Sequence, residues 1–171
     1  MTQRLAIVLN PTSGGGRVYK RIKAHLDAWP HPEWKIEVFV TLSAGHAGEL
    51  VQELLPNPPD RLAICGGDGT IHDVVSEVPS PPFPVAILPA GTANVLAREI
   101  GIPLDPVRAL EIALHGVERR LDLGFLNSRN ARRFLLMTGI GLDAYAVFKV
   151  QSRVKRRIGI GAYYIAALQC L

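Results

Sequence analysis

Three short apolar runs in this 171-residue chain each end in a turn rich in glycine and hydroxyl side chains. Residues 5–9 run into Asn10-Pro-Thr-Ser-Gly-Gly-Gly16, residues 61–65 into Gly66-Gly-Asp-Gly-Thr70, and residues 85–88 into Pro89-Ala-Gly-Thr-Ala-Asn94. A compact apolar run of about five residues is what a strand buried on both faces looks like. A fourth run, 34–40, ends in Thr41. Between the runs lie segments with helical spacing at 17–29, 44–55 and 71–78, then 91–100 and 105–115. Ser43 is placed to cap the second helix, and Pro106 sits in the first turn of the last. Strand–helix alternation predicts an α/β fold: a Rossmann-like parallel sheet with helices on both faces. Ligands of such sheets bind at the carboxyl ends of the strands, where these turns collect.

After residue 116 the pattern changes. Two strand-like runs follow one another at 119–126 and 132–138, joined by Asn127-Ser-Arg-Asn130. Consecutive strands predict an antiparallel element, so the expected domains are 1–117, an α/β nucleotide-binding unit, and 118–171, the start of a β-rich one. The sequence given ends at Leu171 within the apolar stretch 162–168, and the expectation is that the second domain is incomplete.

Charge divides along the same line. Residues 1–118 hold 9 Lys and Arg against 13 Asp and Glu, whereas 119–171 hold 10 against 2, within an overall net charge of +4. A basic C-terminal third suits an anionic partner such as a membrane surface, or is simply a solvated face. Aromatic residues do not interleave the basic stretch, which argues against a nucleic-acid partner. With 48% apolar and 20% charged residues the chain has a globular composition. The longest weakly polar stretch, 158–171, is too short to span a bilayer. Cys65 and Cys170 are far apart and read as reduced thiols of a cytoplasmic protein.

A glycine-rich turn between strand and helix exposes backbone N–H groups beside the positive end of the helix dipole, which makes an anion site. Ser13, Thr41, Thr70 and Thr92 add hydroxyl donors. Asp68 would repel a phosphate there unless a cation intervenes, so it is the candidate ligand for Mg²⁺ or its waters. Alternatively, the glycines only turn the chain and Asp68 caps the helix that follows. His72 directly follows this loop and is a candidate ligand contact. The remaining motifs point elsewhere or nowhere. The sequence contains no P-loop, no G-x-S-x-G and no H-E-x-x-H. Gly139-Ile-Gly-Leu-Asp-Ala144 fits G-x-G-x-x-A, but no acidic residue follows Asp143 to bind a ribose, so it reads as a strand-to-helix turn.

Asn10-Pro-x-Ser-Gly14, Gly66-Gly-Asp-Gly-Thr70 and Pro89-x-Gly-Thr-x-Asn94-x-x-Ala97, in this order, resemble the diacylglycerol kinase catalytic domain family, with its bacterial lipid kinases and sphingosine and ceramide kinases. Gly-Gly-Asp-Gly-Thr alone is shared with NAD kinases and phosphofructokinases; the three together are far more specific. Gly139-x-Gly141-x-Asp143-Ala resembles the start of the family's second, β-sandwich domain. The resemblance implies transfer of the γ-phosphoryl of ATP, with Mg²⁺, to a lipid hydroxyl such as that of diacylglycerol. It implies that Asn10, Pro11, Thr12, Ser13, Gly14 and Thr41 line the nucleotide. Gly66, Gly67, Asp68, Gly69, Thr70, Ile71 and His72 would cradle its phosphates, and Thr92 and Asn94 would complete the site. Asp68 is the implied metal-linked acid. The general base and further metal ligands are implied to lie beyond residue 171, so no catalytic base is named. Many relatives carry Asn-Glu where this chain has His72-Asp73. The expected setting is cytoplasmic and peripheral to an anionic membrane, with residues 149–157 as the basic contact. A kinase of a soluble acceptor such as NAD is the alternative enzyme. A truncated, non-catalytic nucleotide-binding module, or a homo-oligomer formed through an unpaired sheet edge, is the alternative of another kind.

Overall fold

The computed structural model describes residues 2–28, 32–127 and 132–137. Its backbone divides into a unit over Met1–Leu135 and another over Leu136–Leu171. The 139–144 turn, the basic segment 149–157, the apolar stretch 162–168 and Cys170 lie outside the described residues.

Four parallel strands form the sheet: β1 (Gln3–Leu9), β2 (Trp34–Val40), β3 (Arg61–Gly66) and β4 (Val85–Pro89), in the order β2-β1-β3-β4. The register places Leu5 between Ile36 and Arg61. β1 and β3 are central, so their apolar runs are continuous: Leu5, Ala6, Ile7 and Val8 are fully buried, as are Leu62, Ala63 and Ile64. β2 is an edge strand, and its burial is accordingly partial, with Val38 and Val40 part-exposed.

From β1 the chain steps to β2 on one side, returns across β1 to β3, and continues outward to β4. The reversal distributes the helices over both faces. On one face α1 (Arg17–Asp27) and α5 (Pro106–His115) pack Ile22, Ala109, Leu110, Ala113 and Leu114 against Leu5, Ile7, Leu9 and Ala63. On the other, α2 (His46–Leu54) and α3 (Asp68–Glu77) lie against each other and contact the sheet at β1 and β3. Ala47, Val51, Ile71 and Val74 are buried there. A short helix α4 (Val95–Glu99) precedes α5. The predicted antiparallel element is present as β5 (Gly124–Leu126) paired with β6 (Arg132–Phe134), both shorter than expected.

Three boundaries differ from the sequence expectation. Ser43 does not cap α2: the helix starts at His46 behind Gly45, which is left-handed at φ 82°. The Gly66–Thr70 motif is not all turn, because α3 begins at Asp68. The helix expected from residue 91 begins at Val95, since Asn94 breaks it with φ 47° and ψ 51°. At α5 the expectation holds: Pro106 is at the first turn and the Asp105 carboxylate accepts from the N–H groups of Val107 and Arg108.

Candidate functional site

The direction of winding reverses between β1 and β3, and at such a switch point the following loops part to leave a crevice. Three backbone bonds hold the strand ends level around it. Thr41 N–H donates to the Leu9 carbonyl at 2.9 Å, Asn10 N–H to that of Cys65 at 2.8 Å, and Ala90 N–H to that of Gly66 at 2.9 Å.

The β1 loop is organised by Asn10. Its Oδ1 accepts from the Thr12 N–H at 3.0 Å and the Thr12 hydroxyl at 2.8 Å, and its Nδ2 donates to Thr70 Oγ1 at 3.2 Å. The loop then passes through three left-handed residues, Gly14, Gly15 and Gly16, at φ 62°, 67° and 76°. A side chain at Gly14 would meet the Ala90 carbonyl oxygen at 2.9 Å, so the β1 loop reaches across to the end of β4. Pro11 and Ser13 are half-buried on this loop, and Thr12 is exposed.

The β3 loop is a single residue, Gly67, before α3 takes over. Thr70 and Ile71 N–H groups turn back to the Gly67 carbonyl at 2.9 and 3.2 Å. The first N–H groups of a helix have no acceptor within it, so those of Asp68 and Gly69 face the opening of α3 with its positive dipole end. The Thr70 hydroxyl is buried and serves Asn10. Ile71 turns its side chain into the core, so it borders the site by backbone alone. His72 is on the exposed face of α3, its Nε2 3.5 Å from Ser76 Oγ. Cys65, just before the motif, is buried, and desolvation pushes its thiol up to about 12, so it is no nucleophile at neutral pH.

The β4 loop closes the arrangement. Gly91 packs back to back with Gly67: a side-chain carbon at Gly91 would lie 2.6 Å from Gly67 Cα. Asn94 is buried and holds its left-handed conformation by a two-way bond to Gly91. Its Oδ1 accepts from Gly91 N–H at 2.7 Å, and its Nδ2 donates to Gly91 O at 2.9 Å. Thr92 stands exposed at the tip. Asp68 reaches from α3 to this loop and accepts from the N–H groups of Val95 at 3.1 Å and Leu96 at 3.2 Å. It therefore caps a helix, but α4 and not the one it begins.

The structure thus gathers Asn10, Gly14, Gly66, Gly67, Asp68, Thr70 and Asn94 into one connected set. Thr41 stands one strand further out, buried at the end of β2. Sequence reasoning passed over Gly91, whose part is to leave room, and Asp73, whose Oδ2 accepts from Gly45 N–H at 3.1 Å. The sequence signal for Asp73 was its place beside His72, where many relatives carry Asn-Glu.

The donor set suits a magnesium ion brought by a nucleotide. Among the described residues no three acidic, His or Cys side chains converge to cage an ion. Mg²⁺ is usually held by one or two carboxylates with phosphates and waters completing its shell. The partly exposed Asp68 spends one lone pair per oxygen on α4 and keeps the others.

Residues 4–126 match the diacylglycerol kinase catalytic domain. The chain belongs to that family. A diacylglycerol kinase of Bacillus subtilis is 30% identical over 172 residues, 99% of this chain and 56% of its own length. A probable YegS-like lipid kinase of Pseudomonas fluorescens is 32% identical over 170 residues, 98% of this chain and 55% of its length. Among solved structures, a candidate diacylglycerol kinase from Bacillus anthracis superposes with a TM-score of 0.73 at 25% identity, covering 94% of this chain and 53% of that one. The chain spans about half the length of the curated relatives it matches.

Proposed function

We propose that this chain carries the nucleotide-binding part of an ATP-dependent lipid kinase, which transfers the γ-phosphoryl of Mg-ATP to a lipid hydroxyl such as that of diacylglycerol. The observation that carries the reading is the convergence of the β1, β3 and β4 loops at the switch point, with an open helix N-terminus and one part-free carboxylate. Phosphoryl transfer asks mainly for positioning and for stabilisation of charge on the transferred group. The α3 N-terminus and the Gly14–Gly16 turn supply backbone dipoles for phosphate oxygens. Asn10, Pro11, Thr12, Ser13 and Thr41 line the nucleotide, Gly66 to His72 border its phosphates, and Thr92 and Asn94 complete the β4 side. Asp68 would hold Mg²⁺, directly or through water, and the bound ion would neutralise phosphate charge. The names of the relatives favour a lipid acceptor over a soluble one. The basic composition of residues 119–171 suits work at an anionic membrane, where each exposed cation contributes about 1 kcal/mol. The domain boundary near 118, with a β-rich second domain, belongs to the same proposal.

Incubation of this chain joined to a complete second domain with γ-labelled ATP and anionic vesicles containing diacylglycerol tests it. The reading predicts label in the organic phase, falling as salt rises. Label confined to the aqueous phase in a soluble product would favour the soluble-acceptor kinase. Nucleotide binding with no transfer would favour the non-catalytic module.

A further inference from the structure

α3 ties the ends of the other three strands to itself. Thr70 receives Asn10 from the β1 loop, and Asp68 holds the start of α4 beyond β4. The third tie reaches the β2 side: Asp73 Oδ2 accepts from the N–H of Gly45 at 3.1 Å. Gly45 is the left-handed residue at which the 41–45 loop turns into α2. In the same loop, Leu42 N–H donates to His46 Nδ1 at 3.0 Å. Side chains from two helices therefore fix a loop that has few backbone bonds of its own.

The packing beneath supports the same lock. Gly48 of α2 sits so close to α3 that a side-chain carbon there would meet the Asp73 carbonyl oxygen at 2.7 Å. One turn further, Gln52 Nε2 donates to Glu77 Oε2 at 3.1 Å. α2 is thus seated on α3 along its length, and the Asp73–Gly45 bond carries that fixed register into the 41–45 loop. The loop leaves β2 next to the β1 loop, about one strand spacing of 4.8 Å away. It holds Thr41 against Leu9 and leaves Leu42 almost wholly exposed at the rim.

We propose that Asp73 is a positioning residue for nucleotide binding, locking the 41–45 loop through Gly45 N–H in the conformation that borders the nucleotide. This rests on the nucleotide reading above. Asp73 needs only an acceptor oxygen for the task, so its charge is dispensable.

The test compares Asp73→Ala with Asp73→Asn, which keeps the oxygen and discards the charge. Two quantities are read on the whole chain: Mg-ATP affinity by calorimetry, and amide exchange at Gly45 without nucleotide. Loss of a hydrogen bond to a charged group predicts roughly fivefold or greater weakening of Mg-ATP by Asp73→Ala, with faster Gly45 exchange. Asp73→Asn should stay within about twofold of wild type on both readouts. Unchanged affinity in Asp73→Ala despite faster exchange would overturn the proposal, as would a fall in affinity without faster exchange. An Asn variant as weak as the Ala variant would also overturn it, because charge and not the bond would then be at work. A folded wild type that binds no Mg-ATP would remove the nucleotide reading, and this proposal with it. The exchange data would still show in that case whether the Asp73–Gly45 bond exists. If the Ala variant does not fold by circular dichroism, Asp73→Ser, too short to reach Gly45, replaces it.

Discussion

Gly67 and Gly91 touch through their Cα atoms, and that contact decides how closely the β3 and β4 loops approach. The obstacle to a larger residue is backbone, which cannot swing aside as a flexible side chain could. Gly91→Ala should therefore cost about 1–3 kcal/mol, as overpacking generally does, and should part the two loops. Urea unfolding would show the lower midpoint. A midpoint equal to wild type would mean that the loops are less tightly joined than described. Asp68 makes a related point about reading residues singly. Its place between two glycines suggested a metal ligand or a cap for its own helix. It caps a helix that begins 27 residues later, because the β4 loop folds back over α3. No local pattern contains that contact. Asn94 is similar: a non-glycine residue in the left-handed region costs of order 1–3 kcal/mol, here offset by its paired bonds to Gly91.

At the scale of elements, the sheet was legible because β1 and β3 are central and their runs uniformly apolar, while glycine turns marked each end. Helix starts were less so. Ser43 is a good cap by residue type, yet α2 starts at His46, behind Gly45, because Asp73 and His46 hold the loop past Ser43. Propensity is local, and these constraints come from neighbouring elements. α5 shows the opposite case, in which Asp105 and Pro106 suffice. Asp105 also bridges to α1 through a 2.6 Å pair with Arg21. That pair is solvent-exposed and by itself contributes little; the cap contributes about 1 kcal/mol. The Arg21 hydrogen bond, with help from the Arg108 N–H, holds the Asp105 carboxyl below its ordinary 3.8. A carboxyl lowered on folding stabilises the fold above its unfolded value, and that stability is lost as pH falls through the folded one. Asp105→Ala should thus be less stable than wild type at neutral pH, with the gap closing as pH falls below the ordinary 3.8 and through the lowered folded value. Urea midpoints across that range would check it; a gap independent of pH would assign the effect to something other than the ionised cap.

For the whole molecule, one topological event places the candidate site. The chain winds away from β1 in both directions, so α1 and α3 leave the sheet on opposite faces while the loops after β1, β3 and β4 are tied together at its carboxyl edge. The glycine turns foretold that the β1, β3 and β4 loops would gather at one edge of the sheet, since three of them recur at strand ends. They could not foretell that α3 would be the hub to which Asn10, Val95 and Gly45 all connect, because each of those contacts joins residues distant in sequence. The proposed function requires this edge of the sheet to bind a nucleotide with its metal. Calorimetric titration of the purified chain with ATP, with and without Mg²⁺, beside Asp68→Asn, puts that requirement to the test. Saturable binding that strengthens with Mg²⁺ is expected, with a marked loss of that metal dependence in the variant. No binding by a folded wild-type chain, or binding indifferent to both Mg²⁺ and Asp68, would contradict it.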